Sequence, residues 1–142
     1  MSEPDPPGPA PTITVLMAVH NGAATVREAI DSILAQTWSD FEFLIVDDAS
    51  TDDTPAILRA LADPRVRVVR NDANLGLTRS LNRGLDLAQG RLIARMDADD
   101  QALPERLARQ VALLGAQPEI GLCGTWVETI GDPAGEVWDF PA

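Results

Sequence analysis

Apolar and polar positions along this chain fall into blocks whose period switches from that of a strand to that of a helix and back. Ile13-Thr14-Val15-Leu16-Met17-Ala18-Val19 is nearly continuous in apolar character, as expected of a strand covered on both faces. His20-Asn21-Gly22 breaks it, and Val26, Ile30, Ile33 and Leu34 then recur at helical spacing, predicting a helix to about Gln36. Phe41-Glu42-Phe43-Leu44-Ile45-Val46 reads as a second buried strand, ended by Asp47-Asp48-Ala49-Ser50. Thr54 before Pro55 predicts an N-cap with proline at the first helical position, opening a helix through Ile57, Leu58 and Leu61 that Asp63-Pro64 stops. Val66 to Val69 is a third strand and Asn71 to Gly76 a loop. Leu77, Leu81 and Leu85 form an i, i+4 stripe on a third helix that closes near Gly90. Leu92-Ile93-Ala94-Arg95-Met96 reads as a buried fourth strand, and Pro104 opens a fourth helix with Leu107, Val111 and Leu114 inward. Beyond Gly124 the pattern weakens: Trp126 to Ile130 alternates like a half-exposed strand, Gly131-Asp132-Pro133 is a turn, and Val137 starts another strand.

Strands and helices alternating with short connections predict an α/β fold, an open and mainly parallel sheet with helices on both faces. Ligands of such sheets bind outside the carboxyl ends of the strands. Here those ends carry His20-Asn21-Gly22, Asp47-Asp48-Ala49-Ser50, Asn71 to Gly76, and Asp97-Ala98-Asp99-Asp100, whereas the strand starts carry no comparable cluster. Three carboxylates within four positions repel one another unless a cation lies between them. A hard divalent metal held partly by carboxylate and partly by phosphate oxygens answers that repulsion, which places the chemistry near phosphate transfer or departure.

Composition narrows the partners. The chain has 142 residues, one domain's worth, with a net charge of −11 from 22 acidic and 11 basic side chains, and every basic residue is arginine. An acidic surface argues against nucleic acid as a partner, because neutralising its phosphates needs a basic face. Cys123 is the only cysteine, so no intrachain disulfide can form, and between Leu122 and Gly124 it reads as a small buried hydrophobe. Residues 1–11 are polar, carry five prolines and are expected to form a disordered tail, with the folded domain over 12–142. No signal-like segment and no apolar run of about 20 residues is present, which predicts a cytoplasmic chain, at most peripheral to the inner face of the membrane.

Six pieces of this sequence, in one order, resemble the nucleotide-sugar-binding part of the family 2 glycosyltransferases, inverting enzymes with the GT-A fold. They are Met17-Ala18-Val19-His20-Asn21; Ser32-Ile33-Leu34-Ala35-Gln36-Thr37; Phe41 to Thr54; Asn74-Leu75-Gly76; Leu81-Asn82-Arg83-Gly84 with Ala88-Gln89-Gly90; and Ala94-Arg95-Met96-Asp97-Ala98-Asp99-Asp100. The likeness runs from about Thr12 to Gly124. It implies transfer of a sugar from a nucleoside-diphosphate donor, UDP-linked by preference, to a hydroxyl of a glycan, lipid or protein acceptor, with inversion and with Mn²⁺ or Mg²⁺ as cofactor.

The resemblance also implies roles. Asp48 matches the carboxylate that accepts a hydrogen bond from the donor's base, a device that rejects bases lacking that N–H. Asp97 and Asp99 match a D-x-D motif, with Asp97 near the ribose or a metal-bound water and Asp99 on the metal that bridges the two phosphates. His20 falls where the family places an aromatic or histidine beside the base, and Arg79 is within reach of the diphosphate. On residue chemistry alone, Asp48 reads equally as a turn-capping side chain and Arg79 as a solvated face. Asp47 reads as a residue that holds its loop, Asn74 and Gly76 as loop-shaping residues, and Arg95 as the partner of a neighbouring carboxylate. The family's general base and acceptor-binding half come from later segments, so the domain is expected to be incomplete at Ala142. Glu128, Asp132, Glu136 and Asp139 match no base motif, and the catalytic base stays unassigned. The alternative is a non-catalytic module that binds nucleotide sugar and metal. A D-x-D phosphohydrolase ranks below both, since its nucleophile follows the first strand, where this chain has His20.

Overall fold

The structure, a computed structural model, describes residues 9–129 and the backbone of residues 137–138. The disordered tail expected over 1–11 falls largely on residues outside those described, as do Ile130, Asp132, Glu136, Asp139 and Phe140. Four strands and four helices alternate: β1 (Ile13–Val19), α1 (Val26–Leu34), β2 (Phe41–Asp47), α2 (Thr54–Arg59), β3 (Val66–Arg70), α3 (Leu77–Leu87), β4 (Leu92–Arg95) and α4 (Arg106–Ala116). The strands form one sheet in the order β3-β2-β1-β4, with every pair parallel. A separate two-stranded antiparallel ribbon pairs β5 (Val127–Glu128) with β6 (Val137–Trp138). The expected architecture is therefore present, with the strand after Gly124 far shorter than its alternation suggests.

The near-continuous apolar runs of β1 and β2 are explained by burial on both faces. Ile13, Val15, Met17, Phe43 and Ile45 share a core cluster with Val26, Ile30 and Ile33 of α1, Leu58 of α2 and Leu107 of α4. Leu16, Leu44 and Val46 point the other way, toward Leu81 and Leu87 of α3. Gly84 makes that second packing close: Leu16 lies where a Cβ at residue 84 would stand, so the helix approaches the sheet as only glycine permits. A Cβ at Gly90 would likewise run into the backbone of Ile13 and Thr14, where the loop before β4 crosses β1.

Several local expectations are corrected. Of the stripe Leu77, Leu81, Leu85 on α3, only Leu81 packs against the sheet. Leu77 and Leu85 are about half exposed (52% and 48%), while Ser80 and Gly84 are buried. Small residues face the sheet because α3 lies close to it, and the leucine stripe straddles the boundary. β4 is an edge strand and not a buried one: Leu92 and Ala94 pack on the α1 side, but Ile93 and Arg95 are exposed on the face that α3 leaves uncovered. The N-cap of α2 is Asp53, with Thr54 already helical and buried, and α4 starts at Arg106, two residues after the proline expected to open it.

Candidate functional site

Parallel pairing sets the site. The hydrogen-bond ladder continues one residue past the strand ends: Asp48 N–H donates to Val19 O (2.8 Å), Asn71 N–H to Asp47 O (2.8 Å) and Met96 N–H to Leu16 O (3.0 Å). The four carboxyl-end loops are thereby held side by side. A cleft of about 410 Å³ opens there, lined by His20, Asn21, Gly22 and Thr25 on one side and Arg95, Asp97, Ala98 and Asp99 on the other. That volume lies in the range of small-molecule sites. His20, Asp97 and Asp99, singled out separately in sequence, meet in this one cleft, with Arg95 and the first residue of α3, Leu77.

The loop after β1 and the loop after β2 are laced together. Asn21 takes a left-handed backbone conformation (φ 52°), which asparagine tolerates. Its Oδ1 accepts from the N–H of Thr51 (2.8 Å) and of Asp52 (3.3 Å), while its own N–H donates to Ser50 Oγ (2.9 Å). Gly22 N–H donates to Thr54 Oγ1 and Ala23 N–H to the Asp52 carboxylate. The polar run Ser50 to Thr54 therefore serves as scaffold for the cleft wall. Ala49, in the same turn, also has a positive φ of 55°, a strained state for a residue with a Cβ.

His20 is exposed to the cleft, and its Nδ1 is 2.7 Å from the carbonyl oxygen of Asp48. A carbonyl only accepts, so Nδ1 carries the proton and the neutral ring keeps Nε2 as an acceptor. The Asp48 carboxylate itself does not line the cleft. It is 3% exposed and turned to the loop after β3: Oδ1 accepts from Asn71 Nδ2 (2.7 Å) and Leu75 N–H (2.8 Å), Oδ2 from Gly76 N–H (2.8 Å). Burial raises its pKa, but the hydrogen bonds from Leu75, Asn71 and Gly76 outweigh burial and hold it below the ordinary carboxylate value. Asn71, 1% exposed, also donates to Ser80 Oγ and accepts from Arg83 through Oδ1. Neither Asn71 nor Ser80 stands out in sequence; a buried asparagine just past a strand facing a serine on the next helix is the signal they offer.

Asp47 holds its loop. Its Oδ1 accepts from Ser50 N–H (3.0 Å), its Oδ2 pairs with Arg70, and Arg70 also reaches Ser50 O. Arg79 is exposed on α3, does not line the cleft, and takes part in none of the ion pairs among the described residues.

The acidic loop is fixed from below. Thr25 Oγ1 donates to Ala98 O (2.9 Å). Gln36, buried at the end of α1, accepts from Leu107 N–H through Oε1 (3.0 Å) and donates to Leu103 O through Nε2 (2.8 Å). It thereby caps an α4 whose own N-cap makes no side-chain hydrogen bond. Thr37 N–H donates to Pro104 O (2.9 Å). The Gln36-Thr37 pair thus anchors the chain that leaves the acidic loop. Asp97 pairs with Arg95 (2.8 Å), whereas Asp99 and Asp100 are exposed and enter no ion pair among the described residues. Burial first, then repulsion from Asp97 and Asp99, raises the pKa of Asp100, with Arg106 and Arg95 opposing.

The loop thus carries negative charge that the protein does not fully compensate. Among the described residues no three His, Cys, Asp or Glu side chains converge to hold a metal unaided. This donor set fits a hard divalent cation bound by one or two carboxylates and completed by phosphate oxygens, the habit of Mg²⁺ and Mn²⁺. Among the described residues no helix is long and apolar enough to cross a membrane.

Known proteins resemble this chain in sequence and in fold. The succinoglycan biosynthesis protein ExoO of Rhizobium meliloti is 44% identical over 101 residues, which are 71% of this chain and 29% of that protein. The UDP-Glc:α-D-GlcNAc-diphosphoundecaprenol β-1,3-glucosyltransferase WfaP of Escherichia coli is 32% identical over 99 residues, 70% of this chain and 39% of that one. The chain therefore spans less than half the length of these relatives. Among solved structures, S. aureus TarS in complex with UDP-GlcNAc matches with a TM-score of 0.72 and 25% identity, over 75% of this chain and 32% of that one. The mannosyltransferase PcManGT of Pyrobaculum calidifontis, in complex with GDP-Man and Mn²⁺, matches with a TM-score of 0.68 and 31% identity, over 74% and 32%. The model of glycosyl transferase family 2 matches residues 14–139, and the chain belongs to that family.

Proposed function

We propose that this chain is the donor-binding part of an inverting, metal-dependent glycosyltransferase that moves a sugar from a nucleoside diphosphate, UDP in the first instance, to an acceptor hydroxyl. The observation that carries the proposal is the cleft itself. An only partly compensated acidic loop and a histidine with a free acceptor nitrogen face each other across the carboxyl ends of a parallel sheet. Similarity to proteins whose structures hold UDP-GlcNAc, or GDP-Man with Mn²⁺, supports the same class of donor.

His20 would lie beside the base, Asp97 would take the ribose or a metal-bound water, and Asp99 would ligate Mn²⁺ or Mg²⁺. When bound, that cation supplies charge neutralisation to the departing diphosphate. Asp48, with its carboxylate committed to Asn71, Leu75 and Gly76, would shape the base pocket through the 71–76 loop, and Oδ2, which accepts from Gly76 alone, would have a lone pair left for the base N–H. Arg79 is the cation that could swing from the first turn of α3 onto the diphosphate. The acceptor's proton is assigned to no residue.

Thermal denaturation with UDP, GDP, UDP-GlcNAc and GDP-Man, each with Mn²⁺ or with EDTA, tests the reading. A nucleoside diphosphate at 100 times its dissociation constant stabilises by about 2.7 kcal/mol. Stabilisation by at least one of these ligands, larger with Mn²⁺, is expected. A folded sample that responds to none of them refutes the donor site. Release of nucleoside diphosphate from a bound sugar donor then separates a transferase from a module that only binds.

A further inference from the structure

Arg106, the first residue of α4, bonds to the chain that enters the acidic loop, yet it does not line the cleft beside His20, Asp97 and Asp99. It is half-buried beside the end of β4. One terminal nitrogen donates to the carbonyl oxygen of Arg95 (2.8 Å), and the other approaches Met96 Sδ (3.3 Å). These are the last two residues before Asp97. Its Nε is buried with no hydrogen-bond partner among the described residues. A buried guanidinium nitrogen left without a partner costs stability, and in a native chain such a cost calls for a reason. The surroundings supply one. The backbone it grips leads straight into the three carboxylates, and Thr25 on Ala98 O is the opposite clasp of the same loop.

We propose that Arg106 is a positioning residue for metal-dependent donor binding: by gripping the backbone of Arg95 and the side chain of Met96 it sets where Asp97 and Asp99 present their oxygens. This rests on the donor-site reading above. The role depends on the shape of the group as much as on its charge, because only the planar fork of arginine reaches both partners at once. Lysine at this position keeps the charge and loses the fork. Residues that orient ligating carboxylates without touching the metal commonly change metal affinity by about 10–100-fold when replaced.

The test compares wild type, Arg106→Lys and Arg106→Gln by calorimetric titration with UDP, once with Mn²⁺ and once with EDTA. The ratio of the two dissociation constants isolates the metal-dependent part. We expect that ratio to fall about tenfold or more in both variants, while the constant in EDTA moves less than twofold. An Arg106→Lys protein that keeps the wild-type ratio shows that charge alone matters and overturns the positioning role. So do variants in which both constants weaken in parallel, the signature of a general structural defect. A wild type with no metal dependence removes the donor-site reading itself, and the inference with it. Should the variants fail to fold, nitrogen-15 spectra of the wild-type arginine side chains decide. Arg106 resonances that shift with UDP and Mg²⁺ but not with UDP in EDTA support the role, and resonances unmoved in both overturn it.

Discussion

Replacing Asp48 by asparagine preserves size and shape but removes the charge on which the 71–76 loop closes. In the folded chain its two oxygens accept three hydrogen bonds, from Asn71 Nδ2, Leu75 N–H and Gly76 N–H, at 2.7–2.8 Å and out of contact with solvent. An asparagine has one acceptor oxygen, so its amide N–H₂ must face at least one of these donors, and the rest lose their charge assistance. Hydrogen bonds to a charged group contribute about 1.5–3 kcal/mol each, and an orphaned buried donor costs about 1–3 kcal/mol. A total of about 3 kcal/mol follows for Asp48→Asn, or roughly a 10 °C fall in Tm for a domain of this size. The pH dependence adds a sharper check. The folded-state pKa of Asp48 is depressed, so the unfolded chain takes up the proton first as pH falls. The stabilisation is therefore fully present above the unfolded value of about 3.9 and is lost as pH drops through the folded value. Urea denaturation from pH 7 to pH 3 should show a constant gap between wild type and variant down to about pH 5, and a closing gap below about pH 4. A gap under about 0.5 kcal/mol at pH 7, or one that stays constant to pH 3, refutes the assignment of Asp48 as the charged clasp of its loop.

Two further substitutions address the segments that support the cleft. Ala49→Gly relieves the left-handed conformation at residue 49 and should stabilise by about 0.5–1 kcal/mol in denaturant melts, because the strain relieved exceeds the extra unfolded-state freedom of glycine; a destabilised variant contradicts the strain. Gln36→Leu leaves Leu107 N–H without its acceptor and Leu103 O without its donor, and should cost about 2–3 kcal/mol of unfolding free energy. A Gln36→Leu protein as stable as wild type would mean that α4 needs no cap from α1.

The fold was readable from the chain because β1 and β2 are buried on both faces and declare themselves as unbroken apolar runs. The same rule overreached at Leu92-Ile93-Ala94-Arg95-Met96. An edge strand half covered by helices carries nearly the same residues, and only the neighbour that Ile93 lacks distinguishes the two. On α3 the stripe of leucines was a weaker guide than Gly84 and Ser80, because the separation between helix and sheet, invisible in periodicity, decides which residues fit between them. The acidic loop and His20 could be found because chemistry-bearing residues at strand ends stand out from an apolar background. Asn71, Ser80, Arg106 and Gln36 could not, since each acts through a partner 9 to 71 positions away. Asp48 illustrates both sides. Its place beside His20 follows from the strand register, but the direction of its carboxylate, toward the loop after β3, depends on the backbone of Leu75 and Gly76.

The central claim is that Asp99 and its neighbours bind a divalent cation together with a diphosphate, each tightening the other because among the described residues no three ligating side chains converge to hold the metal unaided. Calorimetric titration of UDP into wild type and Asp99→Ala, with Mn²⁺ or with EDTA, measures that coupling directly. The account predicts clear tightening by Mn²⁺ in wild type, abolished in Asp99→Ala, with equal affinities for the two proteins in EDTA. Equal tightening by Mn²⁺ in both proteins, or none in a folded wild type, would contradict it.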